Sequence, residues 1–452
     1  MRLTMNHKAL ILLLAIGLFS RLLVISYAGT LDVQYFIGWA LAASELGIFE
    51  LYPPNSLPFQ SELFDHRYHL PVSYPPGSIY YLWIAGKLMA VLNLPPLIVI
   101  KLPVILVEVI ATLCLYITAH KKFDPSKALL ITASFWLNPA IIISGSMLGY
   151  QDGIAISLCL ICGLAILSKR LYAAAILFAL SLSIKQTSLF FFPILIIYAF
   201  KADGIKYVFK VIFVFTATLA VILSPYIIFV ENGLAMLRHM QKISIHHVLS
   251  ANALNLWWLI GGAIEINSWG SCWNFPTLEN YFLTSKVSAL HYLKIDTESM
   301  LPVVGRFLYI VYTLINCFIL LISRNVTPLK YVLAAFLQYY GYSMLLTGVH
   351  ENHALFAVAL STFLVFVSAP KYPRFIIIYL LITILVFSNL FLFYGLPLTE
   401  YGRPTIAIFN WLSLALSFVN VMLFIFTSLF IWANISKDNP SIDHKDPKSY
   451  SQ

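Results

Sequence analysis

The chain has 452 residues and a formal net charge of +9, with 60% hydrophobic and only 10% charged residues. Soluble globular proteins carry about 25% charged residues, so this composition excludes a soluble protein with one large core. Apolar runs long enough to span a bilayer recur along the chain, which predicts an all-α, polytopic membrane protein. The basic excess lies mostly in short loops on one side, which indicates membrane topology, and no nucleic-acid partner is expected.

Apolar runs in chain order predict about twelve membrane spans. The predicted spans are 9–27, 98–119, 128–143, 154–167, 172–184, 189–200, 207–230, 302–322, 331–346, 355–368, 375–393 and 406–433. Together they predict a single integral-membrane domain over residues 1–433. A polar segment, 434–452, follows as a disordered cytoplasmic tail.

Loops rich in Lys and Arg alternate with polar links from residue 120 onward. The positive-inside bias assigns the basic loops and both termini to the cytoplasm. This assignment of sides requires that residues 75–95 form an interfacial helix that does not cross the membrane. A full crossing there is the alternative. Long outer loops are then expected at 29–74 and 231–300, and the short remaining loops favour a prokaryotic plasma membrane.

The stretch Leu31 to Trp39, LDVQYFIGW, carries a lone carboxylate, Asp32, beside Gln34 and three aromatic residues. It follows the first apolar run and lies at the mouth of a membrane helix. Water is available there, while the walls are apolar. Such a carboxylate is a candidate base for a lipid-borne substrate, although a solvated helix-end charge would look the same.

Other polar residues are assigned to the same outer side as Asp32. Ionisable groups near membrane depth cost about 2.5–3.5 kcal/mol each on insertion scales, so they indicate a functional site by default. Outer basic residues also oppose the positive-inside bias, and an anion-binding site would explain them. The outer set comprises Gln34, Gln151, Asp152, Lys185, Gln186, Arg238, His239, Lys242, His246, His247, Asn255, His350, Glu351 and His353.

Each candidate also has a structural interpretation. Asp152 lies where a helix begins and could be an N-cap. Lys185 could extend its ammonium group to the interface. Glu351 opens a helix, where the dipole favours a carboxylate. Arg238 and its neighbours could be solvated loop residues.

The hypothesis that uses these residues together is glycosyl transfer from a lipid-phosphate donor. The reaction needs a base for the acceptor hydroxyl and positive charge or hydrogen-bond donors at the departing phosphate. Asp32 provides the base, and the outer Lys, Arg and His residues provide the donors. A nucleotide-sugar donor would call for a cytoplasmic soluble domain or a phosphate-cradling loop, and the sequence contains neither.

At these residues the chain resembles the GT-C membrane glycosyltransferases, especially the dolichyl- or polyprenyl-phosphate-sugar-dependent glucosyl- and mannosyltransferases. The resemblance extends over about residues 30 to 355 and follows the family's order. Its pieces are Asp32 with Trp39, Tyr74-Pro75-Pro76, Asn138-Pro139, Tyr150-Gln151, Lys185-Gln186, Asn255 with Trp257, and Val349-His350-Glu351.

The resemblance implies a GT-C-like fold with a long first extracytoplasmic loop. It also implies inverting transfer from a polyprenyl-phosphate sugar with Asp32 as general base and without an obligatory metal. The expected acceptor is a lipid-linked or other glycan, and the chain is surrounded by membrane lipids. Donor contacts are expected from Lys185, His350, Arg238, Gln151, Asp152 and Glu351. Acceptor or pocket contacts are expected from Gln34, Trp39, Tyr74, Asn255 and Trp257.

The chain departs from the glucosyltransferase pattern in two motifs. Phe-Gln-Tyr-Asn is replaced by Tyr150-Gln151-Asp152-Gly153, and His-Glu-Lys is replaced by His350-Glu351-Asn352. Both departures concern the choice of sugar and acceptor. A Gln-Asp form is more similar to prokaryotic mannosyltransferase-type members.

Two other classes remain as alternatives. A lipid-linked glycan transporter or flippase would place its ionisable residues on broken helices at mid-membrane. An envelope glycan ligase or polymerase would use a lipid-diphosphate donor, usually with arginines in a large late loop. The early Asp32 and the one-sided cluster favour the glycosyltransferase.

Overall fold

The computed structural model describes residues 5–53, 57–60, 67–70, 72–92, 94–229, 249–261, 300–324, 327–368, 373–394 and 411–436. Helices dominate these residues, and the strands form two small two-stranded sheets. β1 and β2 pair antiparallel, whereas β3 and β4 pair in parallel. The elements in chain order are α1 (Met5–Val24), α2 (Leu31–Glu45), β1 (Leu57–Gln60), β2 (Arg67–Leu70), α3 (Pro76–Leu92), α4 (Pro96–Val99), α5 (Leu102–His120), α6 (Pro125–Trp136), α7 (Pro139–Ile142), α8 (Asp152–Leu167), α9 (Leu171–Ile184), α10 (Phe192–Phe229), β3 (Ser250–Ala251), α11 (Leu301–Ile322), α12 (Pro328–Leu345), β4 (Val349–His350), α13 (Leu355–Val367), α14 (Arg374–Tyr394) and α15 (Trp411–Ser436).

Proline and side-chain caps determine where several helices begin. Proline is the first residue of α3, α4, α6, α7 and α12, a position where its missing N–H is harmless. The Asp124 side chain caps α6 by accepting a 3.1 Å hydrogen bond from the Lys127 amide. Asn138 caps α7 through the Ala140 amide at 3.0 Å. The Asn138-Pro139 motif therefore has a local structural role.

The bundle has a buried centre and an apolar exterior. Every residue of α13 is buried, as are nearly all residues of α8. On the outside, Phe213 is 71% exposed and Val221 is 73% exposed. Large exposed apolar surfaces are rare in soluble monomers, whereas lipid accommodates them. The fold is that of an integral membrane protein.

Within the described ranges, six helical segments are long and apolar enough to cross a bilayer. They are Pro96–His120, Pro125–Met147, Gln186–Tyr226, Leu301–Ile322, Arg374–Tyr394 and Leu412–Ser436. Shorter apolar helices include Asp152–Leu167 and Leu171–Ile184. The count of about twelve spans stays a prediction. The break expected between 200 and 207 is present, because Asp203 and Gly204 have non-helical backbone angles inside α10.

The first outer segment differs from the expected loop. Residues 29–74 contain the 15-residue helix α2 and the β1–β2 hairpin. The apolar stretch Ala40–Ala43 is fully buried, so this part of α2 is enclosed on all sides, with α3 as its main neighbour. α3 corresponds to the predicted interfacial helix, and whether it crosses the membrane stays open. Of the second outer loop, 231–300, the structure describes 249–261 and Met300.

Candidate functional site

An aromatic cluster joins the Asp32 helix to the Tyr74-Pro75-Pro76 motif. The Trp39 ring lies 5.9 Å from Phe36 and 6.1 Å from Tyr74, measured between ring centroids. Trp39 is buried and Tyr74 is half-buried. The Lys185 ammonium lies 5.9 Å from the Tyr74 ring centroid, within cation–π distance. Two sequence motifs predicted to share a pocket are therefore adjacent.

Asp32 lies in the first turn of α2, where the helix dipole favours a carboxylate. Its side chain is exposed by surface area, yet protein atoms surround it closely. Desolvation raises the pKa of Asp32 above its ordinary value, the charge of Lys185 opposes this shift, and Asp152 adds to it. The Asp32 carboxyl is thus within electrostatic range of both residues.

Lys185 lies at a break between helices. α9 ends at Ile184, Lys185 is extended (φ −143°, ψ 124°), and a 3₁₀-helix follows at Gln186–Phe191. Its ammonium forms an ion pair of 2.5 Å with Asp152 Oδ2, and both side chains are buried. An ion pair in this environment requires close partnering, because an isolated buried charge is costly. The break brings the Lys185 charge to the start of α8.

Asp152 also accepts a hydrogen bond from Asn352. The distance from Asn352 Nδ2 to Asp152 Oδ2 is 2.8 Å. Asp152 is the first residue of α8, and Gln151 occupies the N-cap position without capping through its side chain. Asp152 is therefore not the N-cap of α8, and its contact with a donor stays a prediction. The partner Asn352 was seen in the sequence only as a departure from a motif.

Glu351 accepts hydrogen bonds from two tyrosines. The Tyr150 hydroxyl lies 2.5 Å and the Tyr394 hydroxyl 2.7 Å from Glu351 Oε1. Glu351 is buried and within electrostatic range of Asp32. The sequence does not predict either tyrosine as a donor to this carboxylate, because Tyr150 and Tyr394 lie far from Glu351 in the chain and only the packing of the bundle brings them together.

His350 is held by a short parallel ladder. It pairs with Ala251 in β3, and its backbone amide donates to His353 Nδ1 at 3.4 Å. The His353 ring in turn contacts the Tyr342 hydroxyl at 2.7 Å. The ladder thus fixes the backbone just before Glu351 and Asn352. The contact of His350 with the sugar-phosphate donor stays a prediction.

Lys101 was not predicted as a site residue. Its buried ammonium donates to the carbonyls of Ile25 at 3.0 Å, Tyr27 at 2.7 Å and Met147 at 3.0 Å. It thereby joins the segment that leads into α2 to the segment that leads into α8. The available sequence signal was a single lysine near the start of an apolar run.

Two glycines allow these segments to lie in contact. Gly29 and Gly149 both have positive φ, at +81° and +75°. The Thr30 amide donates to the Leu148 carbonyl at 3.0 Å. A Cβ at Gly29 would lie 2.7 Å from the Leu148 carbonyl oxygen, so only glycine fits without displacement. This contact joins the segment just before Asp32 to the segment just before Asp152.

The remaining predicted residues have other positions. Asn255 caps a helical turn at 256–261, accepting from the Trp257 and Trp258 amides and donating to the Ser343 carbonyl. The Trp257 indole donates to the Leu345 carbonyl. These hydrogen bonds join neither Asn255 nor Trp257 to the cluster around Asp32, and the predicted role of both residues in the pocket stays a prediction. Gln151 donates to the Ile100 carbonyl at 3.1 Å.

Gln34 is half-buried in α2, with its role untested. Arg238, predicted to contact the donor, lies outside the described residues. Over the described ranges, no group of three or more His, Cys, Asp and Glu side chains is arranged to hold a metal ion. An open groove of about 410 Å³ lies elsewhere, between Tyr172 and Phe213. Its lining includes strongly exposed Phe209 and Phe213, which is typical of a lipid-facing surface.

No protein-family model and no curated protein matches the chain. Among solved structures, the chain is similar to the archaeal oligosaccharyltransferase AglB from Archaeoglobus fulgidus in complex with an inhibitory peptide and a dolichol-phosphate. The identity is 13% and the TM-score is 0.44. The match covers 95% of this chain and 56% of that chain, so this chain spans about half the other's length. A likeness at this level assigns no function and no residue roles.

Proposed function

We propose that this protein is an inverting glycosyltransferase of the GT-C type. It transfers a hexosyl group, mannose or glucose, from a polyprenyl-phosphate sugar to a lipid-linked glycan or another glycan acceptor at the extracytoplasmic membrane face. The observation that carries the proposal is the placement of an accessible carboxylate, Asp32, within electrostatic range of the Lys185–Asp152 ion pair.

Asp32 has the properties of a general base. It is accessible, so an acceptor hydroxyl can approach, and desolvation raises its pKa toward the range in which a carboxylate accepts a proton more readily. Asp32 takes the proton of the acceptor hydroxyl as that oxygen attacks the anomeric carbon. The bond between the anomeric carbon and the phosphate oxygen breaks, and polyprenyl phosphate leaves with the electron pair.

Lys185 supports the departure of the phosphate. An ammonium group has three N–H donors, and Asp152 engages one of them. The remaining donors are available to phosphate oxygens, whose negative charge increases as the sugar leaves. His350, and Arg238 beyond the described residues, are further proposed donor contacts.

The proposal is tested with membranes that contain the protein. The membranes are incubated with polyprenyl-phosphate glucose and mannose and a glycolipid fraction, and mass analysis identifies the products. Asp32→Asn is expected to abolish transfer, since the amide keeps the size of the side chain and loses its basicity. The matched control is Asp203→Asn, at the exposed kink of α10, which should leave transfer unchanged. Full turnover by Asp32→Asn would remove Asp32 as the base.

A further inference from the structure

Asp152 and Asn352 are two of the residues at which the two motifs depart from the glucosyltransferase pattern, and a hydrogen bond joins their side chains. They lie 200 residues apart in the chain and are joined by the hydrogen bond from Asn352 Nδ2 to Asp152 Oδ2. Two departures that meet in space form one local arrangement, with Lys185 as its third member.

This arrangement contains buried oxygen atoms without hydrogen-bond partners among the described residues. They are Asp152 Oδ1 and Asn352 Oδ1, and the adjacent Gln151 Oε1 and Glu351 Oε2 are in the same condition. Asp152 is 1% exposed and Asn352 is 6% exposed. A buried acceptor that lacks a donor lowers stability, so each of these four oxygen atoms favours a ligand that supplies a hydrogen-bond donor.

The chemistry of these atoms limits the ligand. All are acceptors, so they repel an anion and do not bind the phosphate itself. A cation is disfavoured because the Lys185 ammonium already lies 2.5 Å from Asp152 Oδ2. A neutral group that carries several O–H donors satisfies them. The sugar ring of a glycolipid is such a group.

We infer that Asp152 and Asn352 form a paired acceptor site for hydroxyl groups of the transferred sugar and thereby select among hexoses. This inference rests on the proposed function and deepens it. Lys185 then has a second effect, because it holds the Asp152 carboxylate in place through Oδ2 and leaves Oδ1 for the sugar. A site that hydrogen-bonds a hydroxyl discriminates strongly against a ligand that lacks it or presents it on the other face.

The experiment measures binding, so it does not depend on turnover. The purified protein is titrated with polyprenyl phosphate and with polyprenyl-phosphate glucose, mannose and galactose. The wild-type protein is expected to bind one sugar lipid at least about tenfold more tightly than the bare phosphate. Asn352→Leu, which keeps the branched shape of the side chain and removes both polar atoms, should abolish that difference, measured as the ratio of the two affinities.

Asn434→Leu is the matched control, because Asn434 bonds only locally to the Phe430 carbonyl near the end of α15. It should keep the wild-type ratio. The exchange Asp152→Asn with Asn352→Asp keeps one carboxylate and one amide at the pair, so it serves if the leucine variant does not fold. Its expected result is a changed order of affinity among the three sugars.

The outcomes separate this inference from the proposed function. Failure of the wild-type protein to bind any of these lipids contradicts the proposed function and the inference with it. A wild-type preference for a sugar lipid that survives Asn352→Leu, or an unchanged order of sugars in the exchange variant, overturns the inference alone. Equal wild-type affinity for all four lipids also overturns the inference and leaves the proposed function standing.

Discussion

The Lys101 ammonium donates a 2.7 Å hydrogen bond to the Tyr27 carbonyl and so anchors the segment that leads into α2 to the start of α5. The same ammonium reaches the Met147 carbonyl, near the start of α8. Asp32 and Asp152 follow these two anchored segments by a few residues. A buried lysine without direct access to substrate therefore determines the relative position of two carboxylates.

Lys101→Met is expected to reduce both stability and transfer. The substitution keeps the apolar stem and removes the hydrogen bonds to three carbonyls, at a cost of about 2–4 kcal/mol. Thermal unfolding in detergent and the transfer assay measure the two effects. Lys87→Met, at an exposed lysine on α3, is the control. Wild-type values for both measurements in Lys101→Met would show that the ammonium does not position the site.

Gly29→Ala is expected to be more harmful than Gly47→Ala. Both glycines have positive φ, so alanine introduces backbone strain at either position. A Cβ at Gly47 meets open space, whereas one at Gly29 would press on the Leu148 carbonyl. We expect about 1 kcal/mol of destabilisation at Gly47 and roughly 2–3 kcal/mol at Gly29. Equal destabilisation by the two variants would show that the contact between Gly29 and Leu148 can shift at little cost in free energy.

The transfer rate is expected to fall in acid as Asp32 becomes protonated. Because the pKa of Asp32 is raised above 3.8, the acid limb of the rate profile lies above that pH. Lys185 lowers this pKa, so Lys185→Gln should move the limb to higher pH and also reduce the rate. Single-turnover rates as a function of pH measure the limb. Lys210→Gln, on the exposed surface of α10, should leave the limb in place. An unmoved limb in Lys185→Gln would show that the Lys185 charge does not act on Asp32.

The two tyrosines on Glu351 are expected to act non-additively. Tyr394→Phe leaves the Tyr150 hydroxyl, 2.5 Å from Glu351 Oε1, as the remaining tyrosine donor. This single variant should destabilise the protein by about 1–2 kcal/mol. Adding Tyr150→Phe leaves the buried carboxylate without either donor, so the double variant should lose more than the sum of the single variants. A double-mutant cycle from unfolding measurements gives the coupling. Strict additivity would show that the two hydroxyls stabilise the Glu351 carboxylate independently of each other.

The apolar runs predicted much of the fold because membrane burial acts on local composition. The interruption at Lys185 was also visible, since a charge between two short apolar runs is rare. The helix α2 was missed because its aromatic and small residues bury against α3, a tertiary partner that the local pattern does not identify. Its Asp32 was nevertheless recognised as a candidate.

Pairings within the site could not be read from the sequence. Lys185 has several candidate carboxylates in the chain, and only the packed bundle selects Asp152. Asn255 shows the converse case, since a buried amide that caps a helix has the same sequence appearance as one in a pocket. Lys101 illustrates a third limit. A lysine that binds backbone carbonyls leaves no partner residue type to search for.

The hydrogen bond between Tyr394 and Glu351 has a consequence for biogenesis. Helices enter the membrane in chain order during synthesis, and Tyr394 is the last residue of α14. The buried Glu351 carboxylate therefore acquires its second donor only after α14 has been inserted and packed. A nascent chain that ends before α14 therefore carries Asp32, Lys185 and Asp152 but lacks the Tyr394 hydroxyl at Glu351.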